Sequence, residues 1–213
     1  MSRASEITLN LEKIRRSIPE HVTLIVVTKT YPISDIEILY EAGVRDFGEN
    51  RDHEGANKAT QLPADANWHF QGQIQSNKLK SIVTWADFIH SLDDLDHAKK
   101  ISKLRKEAIS VFIQVSLDGE ASRGGILPSE IPNFLEECEK LKGINPIGLM
   151  AVAPLNEDPN TAFSRLAEIK AVTSAEFPKI KYLSAGMSND YQAAIAHGAT
   201  HIRVGSSILG SRG

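Results

Sequence analysis

The chain has 213 residues, of which 41% are hydrophobic and 24% charged, the composition of an ordinary globular protein. Its formal net charge is −3, which argues against nucleic acid or an anionic membrane as a partner. No apolar run approaches the roughly 20 residues that span a bilayer, and a single cysteine, Cys138, excludes an intramolecular disulfide. The N-terminus has no signal-peptide core, so we expect a cytoplasmic protein.

Short strand-like segments alternate with longer helical patterns along the chain. An N-terminal helix is predicted over roughly residues 3–17, before the first strand. Eight strands are predicted, at residues 24–28, 44–49, 68–72, 86–91, 110–117, 146–152, 181–186 and 201–205. Gly43 and Gly143 stand as stop signals after two of the helical segments between them.

This repeated alternation of strand and helix predicts a parallel sheet. Eight such units that close on themselves make a (β/α)8 TIM-type barrel, which we predict as an α/β fold of one domain over residues 1–213. A doubly wound open sheet is the structural alternative. Its dinucleotide-binding version is disfavoured because no GxGxxG motif follows the first strand.

Polar residues and glycines follow the predicted strands, at the carboxyl ends where a parallel barrel forms its active site. Two turns, GMSND at 186–190 and GSS at 205–207, follow the seventh and eighth strands. Barrel enzymes often bind phosphate with these two loops, and free N–H groups at a helix start favour an anion. Ser188 is either a helix N-cap or a phosphate donor. One Gly-Ser turn alone is more often only a turn, but the pair indicates a phosphate site.

Lys29 directly follows the first strand, so its amine either reaches water or is used. Partial desolvation and a cationic neighbour such as Arg203 favour the uncharged amine, which forms a Schiff base with an aldehyde. The alternative is a lysine that extends to the barrel rim or pairs with Glu49. Two chemistries remain open from these residues: an aldolase acting on a phosphorylated sugar, or pyridoxal 5′-phosphate held as an internal aldimine.

Six stretches of the sequence match a known family in order and over nearly the whole chain. They are VTKTYP (27–32), FGENR (47–51), WHFQGQIQSNK (68–78), GLMAVAP (148–154), LSAGMSND (183–190) and IRVGSSILG (202–210). Through them the chain resembles the pyridoxal 5′-phosphate homeostasis protein family, which is similar to the N-terminal barrel domain of bacterial alanine racemase. The resemblance implies a fold-type III barrel with an extra N-terminal helix and no C-terminal β-domain, binding pyridoxal 5′-phosphate.

The resemblance also implies roles for individual residues. Lys29 is expected to carry the cofactor as a Schiff base, and Asn50 to lie beside the cofactor ring. Arg203 is expected to face the pyridine nitrogen, where its permanent charge disfavours a proton and weakens the ring as an electron sink. The segments expected near the phosphate contain Ser184, Met187, Ser188, Gly205 and Ser206. A further motif, expected at the pocket edge, contains His69, Gln75 and Asn77.

The function implied by the resemblance is to bind, buffer and deliver pyridoxal 5′-phosphate, with effects on vitamin B6 and amino-acid balance. Alanine racemase needs a second base, a tyrosine from the C-terminal β-domain of a partner subunit. None of the chain's four tyrosines, Tyr31, Tyr40, Tyr182 and Tyr191, matches that base. We therefore expect a non-catalytic monomer that contacts apo-enzymes transiently. The alternatives are a low-activity amino-acid racemase and, more weakly, a Schiff-base aldolase.

Two further patterns bear on the site. Where Arg123 stands, in DGEASRGG (118–125), the family often has a lysine, so a second lysine that transfers the cofactor is not expected there. The seven histidines do not form a metal motif: His197 and His201 are separated by Gly198, and His53-Glu54 lacks the second histidine of HExxH. No metal site is predicted.

Overall fold

Residues 2–120 and 123–210, which the computed structural model describes, form a closed barrel of eight parallel strands. Each strand pairs with its neighbours in the sequence, and β8 returns to pair with β1. The strands are β1 (Thr23–Val27), β2 (Asp46–Glu49), β3 (Asn67–Phe70), β4 (Phe88–Leu92), β5 (Ile109–Gln114), β6 (Ile144–Met150), β7 (Tyr182–Ser184) and β8 (His201–Val204). This order is that of a (β/α)8 barrel.

Helices connect the strands and surround the barrel. They are α1 (Arg3–Ser17), α2 (Ile33–Glu41), α3 (Asp52–Ala59), α4 (Leu79–Trp85), α5 (Leu95–Leu104), α6 (Ile131–Glu139), α7 (Pro159–Glu176), α8 (Tyr191–Ala196) and α9 (Ser206–Leu209). A short 3-10 helix, Pro128–Glu130, precedes α6. No helix among the described residues is both long and apolar enough to cross a bilayer.

The predicted barrel and N-terminal helix are confirmed, and the open-sheet alternative is wrong. The strand ends differ from the predictions by at most three residues; the largest difference is in β5, which ends at Gln114 where residue 117 was predicted. Beyond Gln114, Val115 donates to the carbonyl oxygen of Met150 at 2.8 Å and forms an isolated bridge to Ile126. That residues 1–213 form one domain stays a prediction, since residues 1, 121–122 and 211–213 lie outside the described part.

The hydrophobic core lies between the barrel and the helices. Alternate strand residues point outward, as the period of two requires, and pack against apolar helix faces. Examples are Val26, Phe47 and Trp68 on the strands, all at most 3% exposed. The N-terminal helix joins this layer through Ile7 and Leu11, which are fully buried.

The interior of the barrel is polar and aromatic, whereas such barrels are usually filled by branched aliphatic side chains. The ring of His69 stacks on Phe88 with centroids 4.5 Å apart, and the ring of His90 stacks on Phe112 at 4.3 Å. These stacked pairs place histidine nitrogens inside the barrel, beneath its carboxyl end. The buried nitrogens need hydrogen-bond partners, which neighbouring strands supply.

Candidate functional site

A cavity of about 820 Å³ opens at the carboxyl ends of the strands, where parallel barrels place their sites. Its volume is within the range of about 300–1,000 Å³ that is usual for small-molecule sites. The structure brings most of the predicted site residues together on its wall. They are Lys29, Asn50, Met187, Ser188, Arg203, Gly205 and Ser206.

Ser184 is the predicted site residue that does not line the cavity. It is the last residue of β7 and points into the barrel, where it is fully buried. Its hydroxyl and its carbonyl oxygen both accept hydrogen bonds from Nη1 of Arg203, at 2.8 and 2.9 Å. Ser184 therefore lies under the guanidinium and supports it from below.

Lys29 lines the cavity but is exposed, so the partial desolvation expected from the sequence is not seen. The strand ends at Val27, and the two residues flanking Lys29 are held by α3. The carbonyl oxygen of Thr28 accepts from Nζ of Lys58 at 2.8 Å. Thr30 stands at φ 65°, a left-handed conformation that is rare for a β-branched residue, and its N–H donates to Glu54 at 2.5 Å. The backbone at Lys29 is thus fixed on both sides.

Glu49, the alternative partner for Lys29, is fully buried and pairs with Lys58. Its Oε1 accepts from Nζ of Lys58 at 2.6 Å and from the hydroxyl of Thr28 at 2.6 Å. Burial raises the pKa of Glu49, although Lys58 and Thr28 act to lower it. This pair is not predictable from the sequence, because a lysine four residues after Glu54 on a helix usually marks an exposed face.

Arg203 lies on the cavity floor with only 5% of its surface exposed. Besides its bonds to Ser184, its Nη2 donates to the carbonyl oxygen of Ala151 at 3.1 Å. Burial lowers the pKa of Arg203 to about 10, while the charge of Asp190 acts to raise it. The guanidinium therefore stays charged at neutral pH, in a fixed orientation.

The two loops predicted to bind phosphate meet at Ser188. The backbone N–H groups of Gly205 and Ser207 converge on its Oγ at 3.3 and 3.4 Å, long for hydrogen bonds. N–H donors with such long hydrogen bonds would bind a charged phosphate oxygen more strongly than the hydroxyl of Ser188. A Cβ on Gly205 would approach the carbonyl oxygen of Val27 to 2.9 Å, so the cradle needs glycine here. The residues present therefore fit a phosphate group.

Ser188 is not a helix N-cap, so that alternative is wrong: α8 begins at Tyr191 and its N-cap is Asp190. The carboxylate of Asp190 instead accepts from the N–H of Met187 at 2.5 Å. This bond closes the loop in which Ser188 stands and leaves its side chain directed at the α9 loop. Ser188 is thus held between the two loops.

The structure adds lining residues to which the sequence assigned no role. They include Tyr31, Gln71, Met150 and Glu157. The hydroxyl of Tyr31 donates to the carbonyl oxygen of Gly210 at 2.5 Å, and both carboxylate oxygens of Glu157 accept from Arg165 at 2.8 Å. Position at a strand end was the available signal for Gln71 and Met150, which end or follow β3 and β6.

The structure does not place the motif of His69, Gln75 and Asn77 at the cavity. His69 is buried inside the barrel because it points inward from β3, whereas Gln75 and Asn77 are exposed on the following loop. Arg123 lies nearer: its Nη2 donates to the carbonyl oxygen of Ala153, a cavity residue, at 2.8 Å. Residues 121–122 of its loop lie outside the described part.

Comparison with known proteins identifies the family of this chain. It matches the family model for the N-terminal domain of alanine racemase over residues 3–213. A pyridoxal phosphate homeostasis protein of Corynebacterium glutamicum is 40% identical over 201 residues, which cover 90% of each chain. One from Mycobacterium tuberculosis is 36% identical over 231 residues, 98% of this chain and 89% of that protein. This chain belongs to the pyridoxal phosphate homeostasis protein family.

Solved structures agree with this family membership. PipY of Synechococcus elongatus without PLP is 33% identical and superposes with a TM-score of 0.91, covering 96% of this chain and all of PipY. The PLP-bound form of PipY superposes with a TM-score of 0.89. Alanine racemase of C. glutamicum, 13% identical with a TM-score of 0.79 and matched over 61% of its length, shares the fold. The family resemblance and the barrel predicted from the sequence are both confirmed.

Proposed function

We propose that this protein binds pyridoxal 5′-phosphate in the cavity at the carboxyl end of its barrel and serves the homeostasis of that cofactor. Its relatives are named for this function, and PipY has been solved with PLP bound. Within this chain, one observation carries the proposal: the amine of Lys29 and the fixed guanidinium of Arg203 line one cavity together with Ser188. Two weakly used N–H donors, from the backbone of Gly205 and Ser207, converge on the hydroxyl of Ser188.

Each part of the cofactor has a matching group. The phosphate would lie against the N–H donors of the α9 loop, with the hydroxyls of Ser188 and Ser206 beside it. Asn50 and Arg203 would contact the ring. The amine of Lys29 would add to the aldehyde carbon, so that a C=N bond forms and the carbonyl oxygen leaves as water. When bound, the cofactor supplies an electrophilic aldehyde and a conjugated ring that accepts electrons.

We further propose that the protein holds and delivers the cofactor without catalysing a reaction. Racemisation requires a second acid–base group beside the lysine. The acids and bases that could act beside Lys29, among the described lining residues, are held in hydrogen bonds. Tyr31 donates to Gly210, Glu157 accepts from Arg165, and Asp190 accepts from Met187. A charged guanidinium at the ring nitrogen would also make the ring a weak electron sink.

Covalent attachment is tested by absorbance and peptide mapping. The purified protein incubated with the cofactor should be yellow, and borohydride reduction followed by digestion should find the pyridoxyl label on Lys29. Lys29→Ala should lose the visible band and the label. Lys78→Ala, at an exposed lysine of a matching motif outside the cavity, is the matched control and should keep both. A label on another lysine in the unaltered protein would refute the assignment.

The carrier role is tested by activity and transfer. Incubation with L-alanine in deuterated water should give no exchange at Cα above that of free cofactor; faster exchange would establish the racemase alternative. Loaded protein mixed with an apo-enzyme and a trap for free cofactor should activate that enzyme faster than spontaneous release allows. Equal rates would exclude delivery by contact. We place this exchange in the cytoplasm and expect a monomer, which light scattering of the loaded protein would check.

A further inference from the structure

A continuous chain of hydrogen bonds crosses the inside of the barrel and ends at the guanidinium on the cavity floor. Nη1 of Arg203 lies 2.8 Å from Oγ of Ser184, which lies 2.9 Å from Nδ1 of His90. Nε2 of His90 lies 2.9 Å from Nδ1 of His69, whose Nε2 lies 3.1 Å from Oδ1 of Asp46. Asp46 begins β2, so the chain runs from the carboxyl end of the barrel to its amino end.

The two ends of this chain fix the direction of every hydrogen bond in it. Arg203 can only donate, and an ionised Asp46 can only accept. The hydroxyl of Ser184 accepts from Arg203 and therefore gives its hydrogen to Nδ1 of His90. His90 then donates from Nε2 to Nδ1 of His69, which donates from Nε2 to Asp46. Both imidazoles are thus neutral, with their hydrogen on Nε2.

The opposite arrangement is disfavoured by the surroundings. If His69 were an imidazolium donating to His90, the hydroxyl hydrogen of Ser184 would have no acceptor within the chain. A second positive charge would also be buried near Arg203. Burial, with smaller effects from His69, Arg203 and His201, holds the pKa of His90 well below its usual range. Burial acts to raise the pKa of Asp46, but the hydrogen bond from His69 and nearby charges outweigh it and lower that pKa.

The hydrogen-bond chain also explains how the barrel accommodates the buried guanidinium of Arg203. Within the described part of the protein, Arg203 bonds to Ser184 and Ala151 and to no carboxylate. An uncompensated buried charge is costly. Hydrogen bonds in series polarise one another, so the negative charge of Asp46 strengthens the acceptor that Ser184 offers to the guanidinium.

We propose that Ser184, His90 and His69 are positioning residues that hold the guanidinium of Arg203 at the cavity floor through a one-directional hydrogen-bond chain anchored on Asp46. This hydrogen-bond chain is formed by residues of the barrel alone and needs no ligand. Its effect on the cofactor rests on the proposed function, in which Arg203 faces the ring. Loosening the guanidinium would weaken retention of the cofactor and change the polarity around its ring.

The direction of the chain is tested without cofactor. Long-range ¹H–¹⁵N spectra of the cofactor-free protein at pH 7, assigned by substitution of single histidines, distinguish the two neutral tautomers from the imidazolium. Both His69 and His90 should carry hydrogen on Nε2 alone. Hydrogen on Nδ1 of either ring would overturn the proposal. This result does not depend on whether the protein binds any ligand, and it requires no variant to retain cofactor.

The positioning role is tested by Ser184→Ala, which removes the hydroxyl that links His90 to Arg203, with little change in volume, and keeps the carbonyl bond to Arg203. Its dissociation constant for pyridoxal 5′-phosphate should rise roughly tenfold, the effect of losing a charge-assisted hydrogen bond, and the absorbance maximum of the bound cofactor should shift. His201→Gln is the matched control: His201 is buried in the same interior but bonds to Thr200, outside the chain. It should stay within about twofold of the unaltered protein.

Two results would separate this inference from the proposed function. If Ser184→Ala binds the cofactor as tightly as the unaltered protein, with an unchanged spectrum, the positioning role fails while cofactor binding stands. If the unaltered protein binds no pyridoxal 5′-phosphate, the proposed function fails, and the tautomers of the two histidines still decide whether the chain exists. The effect of Asp46→Asn on the ¹⁵N shifts of His90 gives an independent measure: a shift is expected, and no change would refute the link to Asp46.

Discussion

Replacing Lys58 by methionine should test how the backbone around Lys29 is held. The change keeps an unbranched side chain but removes the ammonium, which bonds to Glu49 at 2.6 Å and to the carbonyl oxygen of Thr28 at 2.8 Å. The side chains of Lys58 and Glu49 are only 8% and 0% exposed. The variant would leave Glu49 with Thr28 as its remaining partner, since its Oε2 has no hydrogen bond within the described part of the protein.

The expected loss of stability follows from this burial. Removing one partner of a buried ion pair typically costs about 3–5 kcal/mol, because the other charge is left uncompensated. For a protein of this size, each kcal/mol lowers the melting temperature by about 2–4 °C, so a loss of roughly 6–20 °C is expected. Thermal and urea unfolding followed by circular dichroism would measure it. Lys140→Met, which breaks an exposed pair with Glu137, is the matched control and should change the melting temperature little.

The same variant should show a characteristic dependence on pH. Burial already raises the pKa of Glu49, and loss of Lys58 would raise it further. A carboxyl with a raised folded-state pKa keeps its proton in the folded protein at pH values where the unfolded chain has already ionised. Its cost to stability therefore grows as the pH rises above the unfolded-state pKa. The deficit of Lys58→Met should therefore be smaller at pH 5 than at pH 8. Adding Glu49→Gln should restore a large part of the stability. A deficit equal at both pH values, and unrelieved in the double variant, would refute this account.

Three further predictions concern other parts of the molecule. Burial lowers the pKa of His201 to about 4, so between about pH 6.5 and 4 only the unfolded chain binds a proton at this residue. The free energy of unfolding should therefore fall by up to about 3 kcal/mol as the pH drops through that range. His201→Gln should show a shallower fall in urea titrations. Burial raises the pKa of the Cys138 thiol to about 12, so a thiol reagent should react only as fast as the protein opens, and added denaturant should accelerate labelling. Gly205→Ala should weaken binding of pyridoxal 5′-phosphate roughly tenfold but leave pyridoxal nearly unaffected in fluorescence titrations, because the added Cβ approaches Val27 beside the phosphate donors.

The periodic features of the sequence predicted the parts of the structure that depend on local pattern. Strand-and-helix alternation was sufficient to predict the eight strands, because each strand is short and is separated from the next by a longer helical pattern. The positions of Lys29 and Arg203 followed from the rule that strand ends meet at one face of a barrel. The role of Ser188, by contrast, is not predictable from the sequence, since the sequence does not determine which residue caps α8.

Contacts between distant strands were not predictable in the same way. His69 belongs to a motif that indicates a pocket edge, yet a one-residue step along β3 decides whether a side chain points into the barrel or out to the helices. Neither the 2.9 Å contact of His69 with His90 nor the pairing of Glu49 with Lys58 has a signal in the sequence. Both depend on register and on closure of the barrel, which bring together residues from separate βα units.

Two buried charged side chains, Glu49 and Arg203, have different partners, and the difference bears on the proposed function. Glu49 forms an ion pair with Lys58, so these two charges are not available to a ligand. Lys58 also holds the backbone at Thr28 through its carbonyl oxygen. Arg203 is held by neutral acceptors alone among the described residues, and its charge still reaches the cavity. A direct carboxylate partner would satisfy the guanidinium and weaken its attraction for a ring nitrogen. An arginine fixed by neutral dipoles keeps that attraction. Under the function proposed above, this arrangement would favour a site that retains an unprotonated ring over one that drives carbanion chemistry.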